Sequence, residues 1–324
     1  MPVVSVRDLA VSISRGGGRF RAVDGVAFAV DAGRTLALVG ESGCGKTMTA
    51  LAMLRLVPPV ARIEGGEVIL RDRDLLRLSE REMQDVRGGD LGIIFQEPLT
   101  ALNPVYTVGE QVAEGLRRHL GLRPREAWSR AVEQLQEVGI PNAARRAHEY
   151  PHQLSGGMRQ RAMIAAAVAC RPALLLADEP TTALDVSVQA HILDLLRRLQ
   201  AERDMALLLI THDLGVVAEM ADEVAVMYAG HIVERAPAPA LFGRPAHPYT
   251  RGLLATVPRL TAEARPPRLP SIGGTVPDLA HLPDACGFLA RCPEAGEACR
   301  QSIPLAEIEP GHWARCVCAT EGAE

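Results

Sequence analysis

Short apolar runs alternate with segments of helical periodicity from the N-terminus to about residue 235. This alternation predicts an α/β fold with a mostly parallel central sheet. Four of the apolar runs end in polar residues, as expected where strands deliver side chains to a ligand at their carboxyl ends. These runs are Thr35 to Gly40, Leu91 to Gln96, Ala173 to Glu179 and Ala206 to His212.

Two stretches depart from the alternation. From about residue 97 to 165, apolar positions recur at helical spacing, which predicts a helical subdomain inserted into the first domain. After Arg235 the chain becomes proline-rich and its periodicity weakens. We therefore expect a first domain in residues 1–235 and a small, irregular C-terminal extension in residues 236–324.

Composition and charge exclude several classes of protein. The chain has 324 residues, 48% of them hydrophobic, and a formal net charge of −4 without clustered Lys or Arg, so no nucleic-acid partner is expected. The longest apolar stretch, "AMIAAAVACRPALLLA", is interrupted by Arg171 and Pro172 and is too short to span a bilayer. The N-terminus lacks the pattern of a secretory signal, and the chain is expected in the cytoplasm.

The segment "GESGCGKT", residues 40–47, lies between a strand-like run and a helical stretch. Gly40, Gly45, Lys46 and Thr47 have the spacing of a phosphate-binding loop. In such a loop backbone N–H groups surround the phosphates, the lysine contacts the β- and γ-oxygens, and the hydroxyl holds Mg²⁺. The first domain is therefore predicted to bind a nucleoside triphosphate.

Two further motifs add chemistry to this loop. "LLLADEP" ends a strand in Asp178, a candidate Mg²⁺ ligand, and Glu179, which could orient the water that attacks the γ-phosphate. A helix cap followed by a solvated acid is the structural alternative for this pair. "LSGGMRQR" places Ser155, Gly156 and Gly157 at a helix N-terminus, which favours anion binding.

In order, "GESGCGKT", "FQEP", "LSGGMRQR", "LLLADEP", "TALD" and "ITHD" resemble the ATP-binding cassette (ABC) family. The resemblance implies a P-loop NTPase fold of the ABC ATPase type, with a mixed or parallel central sheet, that hydrolyses ATP with Mg²⁺. It also implies that Gln96 senses Mg²⁺ and the attacking water, that Glu179 is the general base, and that His212 lies near the γ-phosphate. Ser155 and Gly157 would serve the site of a second ATPase subunit.

Each of these roles has a simpler structural alternative. Gln96 could cap a strand end, His212 could be a surface histidine, and Asp185, implied to lie in the loop linking the two ATP sites, could cap the following helix. Phe20, flanked by two arginines, is the aromatic side chain offered for adenine stacking, or a core residue instead. The predicted nucleotide site comprises Phe20, Gly40, Ser42, Gly43, Cys44, Gly45, Lys46, Thr47, Met48, Gln96, Ser155, Gly156, Gly157, Asp178 and Asp185, with Thr47, Gln96 and Asp178 on Mg²⁺.

The chain also resembles the separate ATPase subunits of importers. That implies two integral membrane permease subunits, a second ATPase, identical or paralogous, a substrate-binding protein outside, and a place at the cytoplasmic face of the membrane. Residues 98–116 would receive the permeases. The tail segments "AHPYTRGLLATVPRL" and "CGFLARCPEAGEAC" resemble oligopeptide and dipeptide importer ATPases; nickel and glutathione importers share them. A DNA-repair or translation ATPase is the alternative class, but its inserted coiled coil or second cassette is lacking.

The C-terminal extension contains spaced cysteines at positions 286, 292, 299 and 316. Stabilising disulfides are rare in cytoplasmic proteins, so thiols in a proline-rich segment favour a metal site. Four thiolates suit a [4Fe-4S] cluster or tetrahedral Zn²⁺. We expect Cys286, Cys292, Cys299 and Cys316 to ligate a [4Fe-4S] cluster, with Zn²⁺ or unliganded thiols as the alternatives.

Overall fold

The computed structural model of the protein describes residues 1–182, 184–257, 271–282 and 284–320. Ala183, within "TALD", and residues 258–260, at the end of the first tail segment quoted above, lie outside these ranges.

Within the described ranges the chain forms twelve strands. They are β1 Val4–Arg15, β2 Gly18–Val30, β3 Thr35–Val39, β4 Ala61–Leu70, β5 Arg73–Asp74, β6 Leu91–Ile94, β7 Leu174–Asp178, β8 Ala206–Thr211, β9 Glu223–Tyr228, β10 His231–Pro237, β11 Ala306–Glu309 and β12 His312–Ala314.

The same part of the chain forms twelve α-helices. They are α1 Lys46–Met53, α2 Glu80–Val86, α3 Pro98–Ala101, α4 Val108–Leu120, α5 Pro124–Glu137, α6 Ala143–Arg146, α7 Gly156–Val168, α8 Val186–Arg203, α9 Leu214–Met220, α10 Ala238–Gly243, α11 Pro248–Ala255 and α12 Val317–Thr320. None of them is long and apolar enough to cross a bilayer.

The chain divides into two compact units, each assembled from separate stretches. The first unit comprises Met1–Val4, Val30–Arg34 and Leu70–Leu209; the second comprises Ser5–Ala29, Thr35–Ile69 and Ile210–Glu324. The phosphate-binding loop belongs to the second unit, whereas the acidic strand end and the "LSGG" motif belong to the first.

The first unit is a parallel strand layer with helices. Its strands follow the order β8, β7, β6, and β6 runs parallel to β7 with Leu91 opposite Leu174 and Ile94 opposite Ala177. Every residue of β7 is buried, as is typical of a parallel strand that is covered on both faces. From residue 97 to 153 the structure has helices α3 to α6 and a 3₁₀ turn, with no strand.

The second unit contains strands of both directions. β3 runs parallel to β9, while β10 is antiparallel to β9. The C-terminal extension adds two strands: β12 pairs antiparallel with β10, placing Ala314 opposite Glu234, and β11 pairs with β12. The predicted α/β fold with a mixed central sheet and the four predicted strands are confirmed.

The extension also completes a core. Tyr249 on α11 and Phe288 are buried against Tyr228, which ends β9, and the centroids of these three rings lie 4.6 to 5.4 Å apart. Such tilted aromatic pairs add to the hydrophobic stabilisation of the area they bury. Tyr249 and Phe288 thus pack the described part of the extension onto β9.

Candidate nucleotide-binding site

The phosphate-binding loop depends on glycine at its two ends. Gly40 has φ of +154°, and a Cβ there would come within 2.2 Å of the Met227 carbonyl oxygen. Gly45, with φ of +111°, would place a Cβ 2.4 Å from the carbonyl oxygen of Ala22. Neither close approach leaves room for a side chain, so the loop can pass between these carbonyls only with glycine at both positions.

Lys46 begins α1 with only 6% of its surface exposed. Its Nζ donates hydrogen bonds of 2.7 Å to the Gly40 carbonyl and 3.0 Å to the Glu41 carbonyl, so the ammonium group is held by the loop it belongs to. Thr47 and Met48 follow in the first turn of α1, and the Thr47 side chain is exposed. The lysine and hydroxyl of the motif thus lie at one helix N-terminus, as anion binding requires.

The residues in the middle of the loop differ in their exposure to solvent. Ser42 and Gly43 are exposed, and Gly43 adopts a positive φ of 80°. Cys44 is completely buried, and burial raises the pKa of its thiol above the usual value despite the neighbouring Lys46. A neutral thiol does not compete with the phosphates for the lysine, so a cysteine at this position is compatible with nucleotide binding.

The acidic strand end holds its glutamate in a defined orientation. β7 delivers Asp178, buried with 4% exposure, and Glu179 follows with a left-handed φ of +47°, a conformation that glutamate rarely adopts. The Glu179 Oε2 accepts hydrogen bonds of 3.0 Å from Gln96 Nε2 and 2.8 Å from Thr182 Oγ1. Backbone strain of this kind is often found at functional sites, and here it accompanies an oriented carboxylate.

The "LSGG" motif forms the N-terminus of α7. Ser155 is the N-cap, its Oγ accepts from the Met158 N–H at 3.3 Å, and Gly156 lies exposed in the first turn. A Cβ on Gly157 would lie 3.1 Å from Val188 Cγ1, which is a tight contact. The helix start and its exposed hydroxyl are therefore as the motif predicts.

Gln160 is a functional candidate that sequence reasoning missed. Its Nε2 donates a buried hydrogen bond of 2.6 Å to the carbonyl of Pro180, immediately after the acidic strand end. α7 is thereby attached to the segment that contains Glu179. Gln160 lies inside "LSGGMRQR", but no feature of the sequence indicates its partner.

Asp185 lies at the N-terminus of α8, and His212 lies just beyond the end of β8. Asp185 caps α8: its Oδ1 accepts from the Val188 N–H at 2.9 Å and from the Ser187 hydroxyl at 2.6 Å, and the serine hydrogen bond lowers the pKa of the carboxyl group. This is the helix-cap alternative given above, and it leaves the link between two ATP sites untested. His212 follows β8 and is exposed.

Phe20 lines a cavity of about 380 Å³ within the second unit. The ring is half-buried, not a core residue, and the C-terminal extension supplies much of the opposing wall, including Leu279, Ala285 and Cys286. Arg21 and His231 contribute polar groups to the same cavity. An aromatic ring beside charged side chains can stack on a planar heterocycle such as adenine. The role of Phe20 in adenine binding stays a prediction.

The predicted metal cluster finds no support in the structure. The four cysteines all lie in the second unit, where the Cys286 N–H donates to the Cys299 carbonyl at 3.0 Å. Burial raises the pKa of the Cys286 and Cys292 thiols, and that of Cys316 to about 11. Among the described residues, no three Cys, His, Asp or Glu side chains approach closely enough to hold a metal ion.

A glycine-ended phosphate loop and an oriented glutamate at a strand end define a P-loop ATPase. Comparison with known families agrees: residues 23–182 match the model described as "ABC transporter", and residues 233–299 match "Oligopeptide/dipeptide transporter, C-terminal region". The chain belongs to the ABC transporter family, and it is an ATP-hydrolysing cassette of that family.

Relatives match this chain over nearly its whole length, and solved structures match about three quarters of it. A Brucella melitensis protein named "Putative peptide import ATP-binding protein" is 50% identical, covering 98% of this chain and 97% of that protein. The dipeptide transport ATP-binding protein DppD of Bacillus subtilis is 47% identical, covering 99% and 96%. A dimeric ATP-binding cassette, MJ0796, in a post-hydrolysis state with ADP and Pi superposes with a TM-score of 0.65 at 26% identity, over 72% of this chain and 98% of that one.

Proposed function

We propose that this protein is the ATPase subunit of a membrane importer that energises uptake of oligopeptides or dipeptides. The observation that carries the transport assignment is the C-terminal extension, whose residues 233–299 match the oligopeptide and dipeptide transporter model. The relatives above are named for peptides and dipeptides, which favours peptides over nickel or glutathione.

For hydrolysis, we propose that Lys46 and the backbone N–H groups of the loop hold the β- and γ-phosphates. Glu179 takes a proton from the attacking water, and Gln96 keeps the carboxylate oriented through its 3.0 Å hydrogen bond. Thr47, Gln96 and Asp178 offer the oxygen donors that Mg²⁺ prefers, so these residues fit that ion. Bound there, Mg²⁺ would neutralise charge that develops on the phosphates. His212 is proposed to contact the γ-phosphate.

The second ATPase subunit is part of the proposal. Ser155 and Gly157 are proposed to serve a nucleotide held by another protomer, which is supported by the exposure of Ser155 and Gly156 at the start of α7. ATP would then bind two half-sites together, and hydrolysis would release them. The dimeric state of the MJ0796 cassette is in agreement with this arrangement.

The permease subunits are proposed to dock on the first unit. Val105 and Tyr106 are 71% and 54% exposed and line a cavity of about 370 Å³ with Trp128, His148 and Tyr150. Exposed apolar side chains around a concave surface are typical of a protein interface. This chain would then lie at the cytoplasmic face of the membrane, with a substrate-binding protein on the other side.

The docking surface can be tested by substitution. Val105→Asp should release the tagged chain from membranes of its host, whereas Leu120→Asp, at a 51% exposed position beyond this cavity, should leave it bound. Mass spectrometry of wild-type protein purified from those membranes should identify two integral membrane partners. Equal retention of both variants would contradict the docking surface.

Transport itself requires a separate measurement. Cells lacking the wild-type chain should lose uptake of a radiolabelled dipeptide or oligopeptide, and the Glu179→Gln variant should not restore it. Unchanged peptide uptake, or loss of nickel uptake alone, would contradict the peptide assignment without affecting the ATPase assignment.

The four tail cysteines stay a prediction supported by their number and donor chemistry alone. If they ligate a [4Fe-4S] cluster, anaerobically purified protein should be brown and contain about four irons per chain. One equivalent of zinc would favour the alternative site, and metal-free protein with intact ATPase activity would contradict both.

A further inference from the structure

Glu41, the residue that follows the first glycine of the phosphate loop, has every polar group occupied. Its carboxylate accepts hydrogen bonds of 2.6 and 3.0 Å from the two terminal nitrogens of Arg291. Its N–H donates to the hydroxyl of Tyr249 at 2.9 Å, and its carbonyl accepts from Lys46 Nζ at 3.0 Å. Both the carboxylate and the N–H are thus bound by residues of the C-terminal extension.

Arg291 is itself held firmly. Its side chain is only 4% exposed, its guanidinium carbon lies 5.7 and 5.9 Å from the ring centroids of Tyr228 and Phe288, and its Nε donates to the Gly273 carbonyl at 2.8 Å. The hydrogen bonds with Glu41 raise the pKa of this arginine further above its usual value. A bidentate, partly desolvated ion pair of this kind is stronger and more directional than an exposed ion pair.

The opposite end of Glu41 is fixed by an equally rigid group. Tyr249 is fully buried on α11, and its ring packs on Tyr228 with a centroid distance of 4.6 Å. Because the Tyr249 ring is buried in an aromatic core, its hydroxyl oxygen is held in one position. The position of the Glu41 N–H is therefore determined by the tail as well as by β3.

We infer that Arg291 and Tyr249 are positioning residues for the phosphate loop: they fix Glu41, and Glu41 in turn fixes the loop and Lys46 for ATP. A loop held in its binding shape loses less conformational freedom when the triphosphate arrives, so the nucleotide binds more tightly. Since both residues act through Glu41, whose carbonyl binds Lys46, their effect should fall on ATP affinity rather than on the rate of hydrolysis.

The test measures binding of a fluorescent ATP analogue to the purified full-length chain, and KM and kcat in the membrane complex. Arg291→Ala and Tyr249→Phe should each weaken analogue binding and raise KM by at least about fivefold, with kcat within about twofold of wild type. The affinity of Arg291→Lys for the analogue should lie between those of wild type and Arg291→Ala, because lysine retains the charge but not the bidentate geometry.

Two controls separate this role from general stability of the tail. Arg251 pairs with Glu294 at 2.6 Å within the same extension and has no contact with the loop among the described residues, so Arg251→Ala should leave affinity unchanged. If Arg291 acts through Glu41, the double variant Glu41→Gln/Arg291→Ala should bind no more weakly than Arg291→Ala alone.

Equal affinities for Arg291→Ala and Arg251→Ala would overturn the inference, as would additive losses in the double variant. If Arg291→Ala does not fold, Tyr249→Phe decides the question because it removes a single oxygen atom. The inference rests on the proposed role of Lys46 and the loop in holding the phosphates: an unchanged affinity of Lys46→Ala contradicts that role, whereas unchanged Arg291 and Tyr249 variants contradict the positioning role only.

Discussion

The side-chain amide of Gln96 donates a hydrogen bond of 3.0 Å to Glu179 Oε2, although the two residues are 83 positions apart in the chain. The same oxygen accepts a hydrogen bond from Thr182, and the glutamate backbone is held at a positive φ. The carboxylate therefore has a defined direction, as a general base needs.

We predict that Glu179→Gln retains ATP binding and lowers the hydrolysis rate by about 100-fold or more, because the amide cannot accept a proton from water. Steady-state phosphate release from the complex, together with nucleotide binding by the purified chain, measures the two effects. Glu133→Gln, on the exposed face of α5, is the matched control and should behave as wild type. Turnover near the wild-type rate would refute the general-base role.

Lys46→Ala should weaken ATP binding itself by about tenfold or more, because it removes a charge-assisted contact to the phosphates. Lys46 is the only lysine in the sequence, so an amine-reactive reagent has only Lys46 and the N-terminal amine as targets. ATP should protect Lys46 from modification, which peptide mass spectrometry can follow. Unchanged ATP affinity in the variant, or modification that ATP does not slow, would count against the loop assignment.

Ser155→Arg should abolish hydrolysis in the assembled complex while the isolated chain still binds ATP, because the proposed partner of Ser155 is on the other protomer. Loss of the N-cap alone costs about 1 kcal/mol. Ser79→Arg removes the N-cap of α2 at a comparable cost and is the control for stability. A Ser155→Arg chain that no longer binds ATP in isolation would show that the residue serves its own site.

His247 should make the second unit sensitive to acid. Burial, with smaller contributions from Arg251 and Arg315, lowers the pKa of this histidine to about 4, and its Nδ1 accepts from the Tyr249 N–H at 3.0 Å. The unfolded chain therefore binds a proton between pH 6.5 and 4 that the folded chain rejects. Stability should fall as the pH falls through this window, by about 3 kcal/mol in total.

The variant His247→Asn keeps a side-chain cap for α11 but does not titrate. The difference in unfolding free energy between wild type and His247→Asn should shrink by about 1.4 kcal/mol per pH unit across that window. Urea denaturation followed by Trp313 fluorescence, in a Trp128→Phe background, reports on the second unit. Parallel pH profiles for the two proteins would contradict the buried neutral histidine.

The local motifs could be predicted from the sequence because their chemistry is contiguous. The loop needs glycines at Gly40 and Gly45 on either side of a short turn, and the "LSGG" helix start needs a capping serine followed by glycines. The strand ends were predictable for the same reason, since buried parallel strands show as short apolar runs. The pattern that identifies each of these features lies within about ten residues, although the carbonyls of Met227 and Ala22 that exclude side chains at Gly40 and Gly45 come from farther along the chain.

The partners of those motifs were not predictable. Glu41 and Arg291 are 250 positions apart, and Gln160 reaches the carbonyl of Pro180, with no spacing rule to connect either pair. The cysteine prediction failed to find support for a related reason: number and spacing indicate which thiols are available, but not whether the backbone brings three of them together.

The sequence by itself determined the type of reaction, because the residues that bind phosphate and activate water are specified by side-chain chemistry and short spacings. Only the tertiary structure decided which groups orient them. Gln96 meets Glu179, and Arg291 and Tyr249 meet Glu41, because the packing of strands and aromatic side chains brings distant segments together. That packing is the sum of many weak, non-directional contacts, and such contacts leave no short motif in the sequence.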